Sequence, residues 1–128
     1  MEINSPISLG ELVDKITILE IKISKISENN KLQNVQNELN KLREIMLNLK
    51  LENESIKNLK DQLFEINQKL WEVEDSLREK ENEKKFDDEF INLARKVYAL
   101  NDKRFEFKNE LNKSFGSEII EEKSYKKY

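Results

Sequence analysis

Apolar residues recur at alternating spacings of three and four along almost the whole chain, and that pattern leaves few folds open. Four seams can be traced. The first is Leu9, Leu12, Ile16, Leu19, Ile23 and Ile26, and the second Leu32, Val35, Leu39, Leu42, Met46 and Leu49. The third, Ile56, Leu59, Leu63, Ile66, Leu70, Val73 and Leu77, misses no position. The fourth runs Phe90, Leu93, Val97, Leu100, Arg104, Phe107 and Leu111, with an arginine at one core position.

Polar breaks separate the seams, and helix-ending signals sit at their edges. Ser8 followed by Glu11 reads as a capping box, Asp87 or Asp88 opens the fourth helix, and Gly116 closes it. The short breaks imply antiparallel neighbours. The expected fold is therefore all-α, an antiparallel bundle of two coiled-coil-like helix hairpins in one domain, 1–128. Helices are expected at about 8–27, 31–50, 55–82 and 88–114, the third dissolving in the charged run from Glu79 to Lys85. Phe64 and Trp71, and Ile91, Ala94, Tyr98 and Phe105, widen the stripes of helices three and four, which argues for one bundle over two isolated hairpins. A tail, 117–128, carries Ile119, Ile120, Tyr125 and Tyr128 and is expected to dock on the bundle. Ile18 and Ile21 lie off the first seam, so the tail or a second copy must cover them, or they form an interface.

Composition narrows the chemistry. The 128 residues include no cysteine and no histidine, which removes thiol catalysis, thiolate metal sites and the usual general base. No metal site and no cofactor are expected. Charged residues are 38% of the chain with both signs interspersed and a formal net charge of -3. A nucleic-acid binder would show a basic stripe; here Glu118, Glu121 and Glu122 offset the lysines of the tail. No run approaches the roughly 18 apolar residues needed to span a bilayer, so no membrane insertion is expected. Residues 1–6 lack the regions of a signal peptide, and the expected location is the cytoplasm.

Three polar sets are candidates for chemistry. On helix one, Asp14, Lys15 and Glu20 could orient a polar ligand, or form a solvated face with a Glu11–Lys15 pair. Gly10 in the first turn costs about 1 kcal/mol against alanine, and close helix packing is the expected reason for it. On helix three, Glu74 and Arg78 beside Trp71 could bind a polar small molecule or make a rim salt bridge. On helix four, Arg95, Tyr98, Asn101, Asp102 and Arg104 form the sharpest set. Arg104 must snorkel or meet a buried carboxylate, with Glu20 and Glu74 the expected partners.

The stretch P-I-S-L-G-E-L-V-D-K-I-T-I-L-E-I-K, residues 6–22, resembles the opening signature of a small uncharacterised family of helical bacterial and phage proteins, a domain of unknown function. Residues 70–75, 97–104 and the closing E-E-K-S-Y at 121–125 resemble its later blocks, in order. The resemblance implies a short helical protein and points to Asp14, Lys15, Glu20, Trp71, Glu74, Arg104 and Tyr125. It also suggests a link to surface-polysaccharide or glycosyltransferase systems.

The expectation is a non-enzymatic helical interaction or scaffold module that binds a protein partner or forms a homo-oligomer. The alternative is a small polar ligand, bound or transformed, inside the bundle. Helical chorismate mutases work by such electrostatic positioning, but the helix-one arginines expected of them are missing here.

Overall fold

The computed structural model describes residues 1–51 and 53–126, so Glu52, Lys127 and Tyr128 lie outside the described residues. Among the described residues there are four helices and no strand: α1 Leu9–Lys25, α2 Asn29–Asn48, α3 Glu54–Glu83 and α4 Asp88–Ser114. The chain is an all-α bundle. None of the helices is long and apolar enough to cross a membrane.

Local chemistry sets the ends. Helix starts leave backbone N–H groups without partners, and three side chains meet that need. Ser8 Oγ accepts from the Glu11 N–H at 3.1 Å, Asn53 from Ile56 at 2.9 Å and Asp87 from Phe90 at 3.0 Å. Gly116 takes φ +65° after α4, and the Ser117 N–H donates to the Asn112 carbonyl at 2.8 Å, closing the helix in a Schellman turn. Helix α3 ends inside the charged run, at Glu83, with Lys84 as its left-handed cap. Lys80 reaches Asp87 at 2.9 Å and Glu89 at 3.0 Å, tying the last turns of α3 to the first turn of α4.

Consecutive helices pair as α1 with α2 and α3 with α4, and α1 also packs on both α3 and α4. Among the described residues, helix α2 packs on α1 and on no other helix. The α1 seam meets α2 through Leu12, Ile16, Leu19 and Leu39, flanked by Ile23, Val35 and Leu42. A second apolar cluster joins Val13 to Ile56, Leu59, Leu63 and Leu111, with Phe107 and Phe115 against it.

This double role of α1 corrects one expectation. Ile21 is 1% exposed, and with Ile18 it faces residues of α3 and α4. The second hairpin covers that side, not the tail or another copy, so Ile21 is not available as an interface residue. Ile18 is half-buried in the same wall.

The widened stripes find a third neighbour only in the lower half of the second hairpin. From Trp71 to Phe107 no residue is fully buried. Ile91 and Tyr98 are 51% and 46% exposed. Beyond the reach of α1, the hairpin is a two-helix arm.

The tail folds back along α4. Asn109 Nδ2 donates to the Glu121 carbonyl at 3.3 Å, Lys123 lies 5.3 Å from the Phe105 ring centre, and the Tyr125 hydroxyl donates to Asp102 at 2.7 Å. Polar contacts hold it, since Ile119 and Ile120 stay exposed.

Gly10 marks the tightest crossing. Its N–H donates to Asn112 Oδ1 at 2.7 Å, and a Cβ placed there would lie 2.4 Å from the Lys108 carbonyl oxygen. Backbone cannot yield as a side-chain tip can, so Gly10→Ala must push α1 away from α4. The expected outcome is a loss of about 1–3 kcal/mol, outweighing the helix propensity gained, read as a lower midpoint in urea unfolding.

Candidate functional site

The face of α1 next to the seam carries Gly10, Asp14, Thr17 and Ile21, spaced four, three and four. It meets an equally polar row on α4, Asn101, Arg104, Lys108 and Asn112, with Asn67 of α3 beside them. Two core-facing stripes are thus built largely from polar side chains.

At the centre, Asp14 is 0% exposed. Arg104 grips it with two bonds, Nε to Oδ1 at 2.8 Å and Nη2 to Oδ2 at 2.5 Å. Asn67 Nδ2 donates to Asp14 Oδ1 and to Thr17 Oγ1, both at 2.9 Å, and the Thr17 hydroxyl donates to the Asp14 carbonyl at 2.7 Å. Every oxygen of the buried carboxylate therefore has a donor, as burial of a charge demands. Its bonds to Asp14 push the guanidinium pKa still higher, against the opposing effect of burial. Arg104 stays cationic at any ordinary pH.

Arg104 does meet a buried carboxylate, but neither expected partner. Glu20 points instead between α2 and α3, where Lys60 lies 3.0 Å and Arg43 3.8 Å away. Glu74 pairs with Arg78 at 3.8 Å within α3. The Glu11–Lys15 pair is also replaced. Glu11 meets Lys108 across the helices at 3.1 Å, while Lys15 is exposed, 4.0 Å from Glu38 of α2.

Lys108 extends the network to the tail, meeting Glu121 at 2.8 Å as well as Glu11. Burial pulls its pKa down, but the bonds to Glu121 and Glu11 outweigh burial and the net shift is upward. One ammonium thus joins α1, α4 and the tail.

Outside this network opens a cleft of about 370 Å³. Trp71, Glu74, Arg78, Asn101 and Arg104 line it, with Asp75, Asn67, Leu70, Ile18 and Ile21. Five of the candidates are therefore gathered at one place, with Asp14 bound behind Arg104. The rest lie apart: Lys15 on the surface, Glu20 in another groove, Arg95 and Tyr98 on the arm, and Asp102 with Tyr125 under the tail. Sequence reasoning missed Asn67, Lys108 and Asn112. The available signal was the spacing of Arg104, Lys108 and Asn112, which continues one polar stripe by fours.

Residues 3–128 match the model of a family described as a family of unknown function (DUF6165). The chain belongs to that family. No curated protein and no solved structure matches it. The match spans all four helices and the described part of the tail, so the polar network and the cleft both lie within the shared region.

Two outcomes are expected from the network. Arg104→Met leaves the Asp14 carboxylate buried without its cation and should cost about 3 kcal/mol in chemical denaturation. Unchanged or raised stability would instead mark Arg104 as a residue held for a ligand. Lys108 gains its proton affinity on folding, so its stabilising share is complete below the ordinary lysine pKa and fades as pH rises through the folded value. The stability gap between the wild type and Lys108→Met should accordingly shrink above about pH 10.5, measured as Tm against pH. A constant gap would exclude the charge as the source.

Proposed function

We propose that this chain is a non-catalytic helical interaction module that self-associates through the outer face of its two-helix arm. The observation that carries this reading is the absence of any fully buried residue from Trp71 to Phe107, over most of the second hairpin. Such a hairpin, alone in water, is weakly supported, because helices in proteins are stabilised mainly by packing an apolar face.

The arm keeps apolar surface for a neighbour. Ile91, Ala94 and Tyr98 follow at spacings of three and four on α4, and all three are exposed. Phe86 at the tip is 57% exposed and stacks edge-on against Phe90. Further down the same side, Phe105 is covered by Lys123 of the tail. A second copy, related by a twofold axis, would set Ile91 and Tyr98 of each chain against the other and extend the burial the base already has.

The polar network supports the same reading from the opposite side. Its carboxylate is fully bonded and its arginine is committed to that carboxylate, as in ion pairs that set helix register. The second reading, a polar ligand against Trp71, draws on Arg104 being 27% exposed at the cleft wall.

Sedimentation velocity on the full chain tests the proposal. A concentration-dependent dimer is expected, and Ile91→Glu with Ala94→Glu should weaken it at least about tenfold, or about 1.4 kcal/mol, while far-ultraviolet helicity stays unchanged. A monomer up to several hundred micromolar would overturn self-association.

A further inference from the structure

Helices α2 and α3 both pack on α1 without forming a pair of their own, and a cleft of about 440 Å³ lies between them. Its floor is apolar: Val13 and Ile16 of α1, Met46 of α2 and Ile56 of α3. Its lip is cationic, with Arg43 and Lys50 on the α2 side and Lys57 and Lys60 on the α3 side. In a chain of formal net charge -3, four cations around one apolar floor reverse the local charge.

Leu51 and Asn53, in the connection from α2 to α3, also line the cleft. Glu20 continues the Val13–Ile16 face of α1 by four residues and bridges Lys60 at 3.0 Å and Arg43 at 3.8 Å. That bridge uses two of the four cations. Among the described residues, Lys50 and Lys57 have no carboxylate within salt-bridge distance.

We propose that this cleft binds a monomeric anionic amphiphile, a single hydrocarbon chain bearing a carboxylate or phosphate head. The chain lies on Met46, Leu47 and Leu51 above that floor, and the head meets Lys50 and Lys57. The volume falls within the range of small-molecule sites, about 300–1,000 Å³.

Isothermal titration of the full chain with dodecyl phosphate, kept below its micellar concentration, tests this. One saturable site is expected, with laurate binding comparably, dodecanol at least about tenfold more weakly and inorganic phosphate giving no heat. Lys50→Glu with Lys57→Glu, both exposed positions, should weaken dodecyl phosphate by a similar factor with helicity kept. Met46→Trp should block the floor; if that variant does not fold, the rim variant alone decides. The proposal is overturned by absence of saturable binding, by equal affinity for dodecanol, by several bound molecules per chain, or by an unaffected rim variant. Binding only to anionic vesicles, and not to the monomer, would overturn it as well.

Discussion

An ionised carboxylate with no exposure is stable only where donors surround it, and in this chain that requirement decides how the two hairpins meet. Asp14 is buried with Arg104 of α4 on one side and Asn67 of α3 on another. Sliding α1 by one turn would leave a charge in the interior without its cation, a cost of several kcal/mol. The apolar contacts of Val13 with Leu63 and Leu111 lack that discrimination, because leucine-rich surfaces accept neighbouring registers at similar energy. Hydrophobic burial supplies most of the driving force, and any register that displaced the ion pair would leave the Asp14 charge uncompensated.

Gly10 works with that selection at the other end of the crossing. The close approach to Lys108 brings the first-turn N–H of α1 within reach of Asn112, so an α4 side chain serves as a second cap for α1. Lys108 then uses its backbone for the close contact and its ammonium for Glu11 and Glu121. Three chain segments distant in sequence converge on one residue. Among the described residues, the Nδ2 of Asn112 is buried without a partner, a cost that the crossing tolerates.

The helices were legible because their apolar seams keep a strict period and their caps carry side-chain chemistry that reads locally. Ser8, Asp87 and Gly116 act at the helix ends where their residue types place them. The second face of α1 was not legible, since Gly10, Asp14 and Thr17 do not register as a core stripe on any scale of apolarity. Arg104 stood out at a seam position, yet its partner depends on the rotation of α1, which backbone contact at Gly10 determines. Glu20 has the right charge but sits on the face turned toward Lys60. Asn67 and Asn112 were hidden by composition: in a chain rich in lysine and asparagine, a buried asparagine looks like its solvated neighbours.

The hairpins themselves are local structures, each closed by a short connection, and local contacts form without a large loop-closure cost. Their docking is the long-range step, and its specificity rests on groups that gain little from collapse until correctly placed. A misdocked pair would bury apolar surface nearly as well but would strand Asp14, Lys108 or Asn67. Stability should therefore be uneven along the molecule, with opening free energies highest around Asp14 and falling along the arm, where no side chain is fully buried. The arm can then open while the base holds, because the bonds to Asp14 and Gly10 come from the turns of α4 after Leu100 and not from the arm's outer face.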